Sequence, residues 1–94
     1  MLNAIGLVMY QLYYTNRAKK DAQLIKASNL KHKVEELLKL IAEDPYIYPP
    51  EFEFLKGDLK GAISRRINKQ HRLVYQVLEN EQAIKVIMMW THYE

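Results

Sequence analysis

Cysteine is absent from the chain, and glycine (three), proline (three), histidine (three) and serine (two) are scarce. Without cysteine there is no disulfide, no thiolate nucleophile and no cysteine-type zinc site. A cysteine-free chain is compatible with a reducing cytoplasm, the compartment expected here. His32, His71 and His92 lack the tight His-x-x-x-His or carboxylate spacing by which a helix clamps a metal, so no metal site is expected. Gly6, Gly57 and Gly61 stand too far apart to form a phosphate-cradling loop or a dinucleotide fingerprint, which disfavours nucleotide-dependent enzymes; no cofactor is expected. A long hydrophobic run is also missing. The apolar stretch Met1 to Met9 falls well short of the roughly 20 residues of a spanning helix. No basic residue precedes it and no small-residue cleavage site follows, so neither a secretory signal nor a membrane partner is expected. Residues 1–8 read as an N-terminal extension and residues 9–94 as a single domain.

A chain of 94 residues has room for one domain only, and it buries roughly 60–65% of its unfolded surface on folding. With 49% hydrophobic and 27% charged residues, it has the composition of an ordinary folded module with a thin core. Tyr10–Thr15 is aromatic-rich, with Tyr10, Leu12 and Tyr14 on one parity, and predicts a strand. Thr15 or Asn16 can cap a helix from about Arg17 to Ser28, with Ala18, Ala22 and Ile25 on its apolar face. A second helix carries the clearest stripe, Leu30, Val34, Leu37, Leu38 and Ile41, and Asp44-Pro45 ends it. After the connector Tyr46–Pro50, alternation of period two predicts strands around Phe52–Phe54, over Ala62–Asn68, over Arg72–Leu78 and over Ala83–Trp90, separated by short polar turns. The expected class is α+β: a strand, a two-helix hairpin, then a three- to four-stranded antiparallel sheet with one face covered by the helices.

The formal charge of +3 is unevenly placed. Lys56, Lys60, Arg65, Arg66, Lys69 and Arg72 face a single acid, Asp58, over residues 56–72, so this stretch carries +5 and the remainder −2. Such a field suits a polyanion; it also suits a solvated sheet edge that discourages aggregation. Arg72 tips the balance towards a ligand, because an arginine in the body of an inner strand needs a partner. Asp58 reads as a turn residue, His32 and His71 as structural or exposed, and Ile84, Val86, Met88 and Trp90 as one buried strand face that His92 continues.

The runs Glu53-Phe54-Leu55-Lys56-Gly57-Asp58-Leu59, Ser64-Arg65-Arg66-Ile67-Asn68, His71-Arg72-Leu73-Val74-Tyr75 and Trp90-Thr91-His92-Tyr93 together resemble the YoeB/Txe toxins of the RelE/ParE superfamily. The resemblance extends from Tyr10 to the C-terminus and implies a fold like that of small microbial ribonucleases. It implies a toxin of a type II toxin–antitoxin pair, a ribosome-dependent, metal-independent endoribonuclease acting on messenger RNA. Carried over position by position, Glu53 is the general base, Arg72 the main phosphate and transition-state contact, and His92 the general acid. Lys56, Arg66 and Arg65 are further cations for RNA, and Tyr93 is the terminal aromatic that holds it. Implied partners are a cognate antitoxin of YefM/Phd type, mRNA in the ribosome, operator DNA through the antitoxin complex, and a second copy in a homodimer. The chain departs from the family pattern in its Tyr46–Pro50 connector, which replaces a glycine-containing loop, in residues 1–8 and in Glu94.

The chemistry is self-sufficient. RNA supplies its own nucleophile in the 2′-hydroxyl, so a base, an acid and cations for the phosphorane are enough, without cysteine or metal. Two alternatives stay open: a superfamily relative of the gyrase-poisoning kind, which lacks the Glu/Arg/His set, and a nucleic-acid-binding regulatory module that uses the basic surface alone.

Overall fold

The computed structural model describes residues 9–90. Thr15 decides where the first helix starts. Its hydroxyl accepts the Ala18 N–H at 3.0 Å, and it donates to the Ile87 carbonyl at 2.8 Å, tying the helix start to the end of the sheet. Strand β1 (Gln11–Tyr14) thus runs directly into α1 (Asn16–Lys26), and α2 is Lys31–Glu43. Ala18 and Ile25 of α1 and Val34, Leu37 and Ile41 of α2 are buried, with Ala22, Leu30 and Leu38 partly buried beside them, as the expected stripes have it; Ala42 is buried in addition. Then come β2 (Phe52–Phe54), β3 (Ile63–Arg66), β4 (Arg72–Leu78) and β5 (Ala83–Met88), with 3₁₀ turns at Gly57–Leu59 and Glu79–Glu81. Asp58 lies in the first of these turns, as expected.

The sheet differs from the expected one in its first strand. Its order is β1-β5-β4-β3-β2, and β1 pairs parallel to β5, so the sheet is five-stranded and mixed. The three pairings among β2, β3, β4 and β5 are antiparallel. A parallel pair needs a long connection between its strands. Here that connection is everything from α1 to β4, and the helical hairpin lies against one sheet face. On that face the helices meet Ile63, Ile67, Leu73, Tyr75, Ile84 and Val86, all at most 1% exposed. The opposite face has a smaller apolar cluster of Leu55, Ala62 and Val74, packed by Leu59, Ile87 and Met88.

Two further findings correct the expected side-chain faces. Val74 pairs with Met88 but Tyr75 with Val86, so Ile87 is an extra residue at a bulge. The bulge shifts the parity of β5: Met88 joins the smaller cluster, while Met89, 1% exposed, enters the main core. The expected single face of Ile84, Val86, Met88 and Trp90 is therefore broken, and with it the parity argument for His92. The second correction concerns Arg65, which is 0% exposed and faces the main core side. Its Nε donates to the Tyr75 hydroxyl at 2.9 Å, one terminal nitrogen to the Pro50 carbonyl at 2.6 Å, and the other to the carbonyls of Ile47 at 2.7 Å and Pro45 at 3.3 Å. The guanidinium also lies 4.6 Å from the centre of the Phe52 ring. Tyr75 donates in turn to the Pro45 carbonyl at 2.7 Å, and burial pushes its phenol above the ordinary value.

The end of β5 is held from α1. Buried Asp21 accepts the N–H of Met89 at 2.9 Å and of Trp90 at 3.3 Å, with Arg17 Nε at 3.4 Å from the same oxygen. Trp90 stacks on His71 with ring centres 4.2 Å apart, and His71 is buried, whereas His32 is exposed beside Glu36. Asp21→Ala leaves two amides without an acceptor and is expected to cost about 2–3 kcal/mol. A lower urea midpoint at unchanged slope is the measurement.

Candidate active site

Strand pairing assembles the site from three strands. In the register Glu53 of β2 faces Ser64 of β3, Ser64 faces Val74 of β4, and Arg66 faces Arg72. Directly paired residues share a sheet face, and so do residues two apart in one strand. Glu53, Ser64, Arg66 and Arg72 therefore stand together on the face opposite the helices. Lys56 joins them from the segment after β2, just before Gly57, whose φ of 71° suits glycine.

These side chains line two adjoining hollows of about 330 and 340 Å³. Glu53, Ser64 and Arg72 border both; Phe54, Leu55 and Lys56 complete the first, and Pro50, Glu51, Phe52 and Arg66 the second. Glu53, Lys56 and Arg66 are exposed and Arg72 is half-buried. The ion pairs among the described residues are Arg17 with Asp21 and His32 with Glu36, so the carboxylate and cations of the cleft are not paired to one another. Arg72 Nε is shut off from solvent yet has no hydrogen-bond partner. Buried polar groups are almost always satisfied, and an exception marks strain or a place for a ligand or water. Among the described residues no three histidines, aspartates or glutamates cluster to hold a metal ion.

The cleft thus offers an exposed carboxylate able to take a proton, facing cations able to neutralise an anion that gains charge. A separate hollow of about 220 Å³ between α1 and α2 is lined by Tyr14, Ala22, Ile25, Val34, Leu38 and Met89 together with three charged residues at its rim. It has none of the facing carboxylate and arginine arrangement.

The expected residues divide into three groups. Glu53, Lys56, Arg66 and Arg72 come together in the cleft. Arg65 does not; it anchors the connector that leads into β2 and so builds the wall from which Glu53 projects. His92 and Tyr93 lie outside the described residues, which end at half-buried Trp90. Sequence reasoning passed over Ser64, although its parity with Arg66 and its antiparity with Ile63 were there to be read.

Comparison with known proteins bears on this arrangement. A family model described as the YoeB-like toxin of bacterial type II toxin–antitoxin systems matches residues 12–93. Toxin YoeB of Synechocystis sp. is 39% identical over 74 residues, covering 79% of this chain and 77% of that protein. A YoeB/ParE toxin from Agrobacterium tumefaciens superposes with a TM-score of 0.81 at 30% identity, over 88% of this chain and 99% of the other. The YoeB of Staphylococcus aureus in its complex with YefM gives 0.75 at 33% identity, over 89% and 98%, and that protein has also been solved as a dimer.

Proposed function

Because the chain belongs to the YoeB-like family of toxins of bacterial type II toxin–antitoxin systems, we propose that its cleft is the active site of a ribosome-dependent endoribonuclease that cuts messenger RNA. The observation that carries this reading is the placement of an unpaired Glu53 beside Arg66 and Arg72 on one open sheet face.

Glu53 takes the proton of the RNA 2′-hydroxyl, and the resulting oxygen attacks the adjacent phosphorus. Arg72, with Arg66 and Lys56, neutralises the charge that grows on the phosphorane oxygens. His92 gives a proton to the departing 5′-oxygen, and Tyr93 holds a neighbouring base. The products are a 2′,3′-cyclic phosphate and a 5′-hydroxyl, and no metal takes part. A positioned acid or base of this kind contributes ~10²–10⁴-fold.

The domain that carries this chemistry spans residues 9–94, with residues 1–8 an N-terminal extension. The partner is a YefM-like antitoxin that covers the basic cleft and carries the complex to operator DNA; that the Staphylococcus aureus relative is solved in complex with YefM supports an antitoxin of that kind, and its dimer supports self-association. No described helix is long and apolar enough to cross a membrane. The place of action is the cytoplasm, on translating ribosomes. The test is induced expression followed by primer extension on a defined message, with and without ribosomes. Cleavage within translated codons is expected from the parent and its loss from His92→Ala. Equal cleavage by His92→Ala, or none by the parent, contradicts the reading.

A further inference from the structure

Ser64 occupies the middle of the cleft floor. It is 4% exposed, borders both hollows, and its hydroxyl makes no hydrogen bond to any described residue. The hydroxyl faces the cleft, free to bond whatever enters it, and on the same face Arg72 Nε is closed off from solvent and unpartnered. One buried unpartnered donor, Arg72 Nε, and one unbonded hydroxyl open to the cleft, that of Ser64, thus share one patch of the floor.

The strand register says what that patch would meet. Glu53 is the direct partner of Ser64 across the β2–β3 pair, roughly 5 Å away between backbones. Arg66 is two residues along β3 on the same face, about 7 Å away, and Arg72 faces Arg66. A phosphodiester held by the two guanidiniums, with its flanking 2′-hydroxyl at Glu53, has to lie between these groups. Ser64 is the residue beneath that position. Its side chain is also short enough to leave the space open among four long ones.

Resting on the nuclease reading above, we propose that Ser64 is a further catalytic residue, whose hydroxyl donates a hydrogen bond to a non-bridging oxygen of the scissile phosphate. It adds a neutral, directional donor to the charged ones and fixes which of the two non-bridging oxygens faces the sheet. Glu53 is the competing acceptor for the same proton, but it needs none to act as a base, whereas the phosphorane gains charge as the bond forms.

The experiment uses the full chain on ribosomes programmed with a short message, in three forms: unmodified, with a single Rp or Sp phosphorothioate at the cleaved linkage, and with a 2′-deoxy nucleotide there that blocks cleavage. Ser64→Ala is expected to melt within about 2 °C of the parent, since it breaks no existing bond, and to cleave the unmodified message ~10–100-fold more slowly, the weight of a hydrogen bond to a charged acceptor. Sulfur accepts such a bond poorly, so the parent should discriminate between the two diastereomers and Ser64→Ala should discriminate much less. Ser64→Cys keeps the volume with a weak donor and should resemble alanine. Binding of the deoxy message should weaken in Ser64→Ala. Unchanged cleavage by Ser64→Ala, or a slower rate with undiminished diastereomer discrimination, overturns the assignment while leaving the nuclease reading intact. A parent that cleaves nothing but binds the deoxy message more tightly than Ser64→Ala defeats the nuclease reading and keeps the phosphate contact.

Discussion

Arg72→Ala is expected to lower message cleavage by ~10²–10³-fold, the loss typical of one well-placed donor to a developing oxyanion, without loss of fold stability. The two halves of this expectation have one origin. Arg72 sits half-buried in the inner strand β4 with its Nε closed off from water and unpartnered. Such a group costs the folded protein free energy until a ligand bonds it. Removing it leaves no orphaned partner behind, so the variant should melt at or above the parent's temperature, as happens where an active site is held at the expense of stability. The loss should appear in kcat more than in KM, because the arginine matters most when the phosphorane carries extra charge. Arg72→Lys keeps the charge but not the planar fork, and intermediate activity is expected from it. Single-turnover cleavage on programmed ribosomes, with a melting curve on the same preparation, measures both.

One strand over, Arg65 should behave in the opposite way. Arg65→Ala is expected to destabilise the fold by about 3–5 kcal/mol, since it strips several buried acceptors of their donor at about 1–3 kcal/mol each, against a total of about 5–15 kcal/mol for a domain. The guanidinium satisfies the carbonyls of Pro45, Ile47 and Pro50 and the hydroxyl of Tyr75. Taken away, it leaves these acceptors buried and frees the connector that sets the position of β2. Arg65→Lys is a poor substitute, because a single ammonium cannot reach acceptors arranged around a fork. Activity should fall too, but together with the urea midpoint, and lowering the temperature should recover it. Arg66→Ala, one residue on and exposed, should leave the midpoint unchanged and impair cleavage alone.

The contrast between Arg65 and Arg66 shows what the sequence displayed and what it did not. The segment Ile63-Ser64-Arg65-Arg66-Ile67 alternates, and Arg65 shares its parity with Ile63 and Ile67, both buried in the main core. That parity was sufficient to place Arg65 inward and Ser64 and Arg66 outward. Counting charge over residues 56–72 obscured it, because a sum carries no information about faces. Glu53 and Lys56 were legible through the resemblance of their motifs to a family, and Arg72 also because a charge in the body of an inner strand needs a partner; the register that brings them to one face came from the structure. The parallel pairing of β1 with β5 was not legible, since nothing local specifies a partner some seventy positions away. The bulge at Ile87 was equally hidden: Val86, Ile87 and Met88 are all apolar, so the pattern gives no sign of where the parity slips. The Tyr46–Pro50 connector belongs to the same network: Arg65 bonds the carbonyls of Ile47 and Pro50, and Tyr75 that of Pro45 just before it, which holds the segment against the sheet.

In the reading proposed above, RNA in this cleft is broken by attack of the RNA's own 2′-hydroxyl. Analysis of the ends left on a message cut by the parent protein on ribosomes tests it most directly, with the metals needed for ribosome integrity exchanged for cobalt hexammine. A 2′,3′-cyclic phosphate on the upstream fragment and a 5′-hydroxyl on the downstream one are expected, at an undiminished rate. A 3′-hydroxyl with a 5′-phosphate, or cleavage that stops under the exchange, contradicts it.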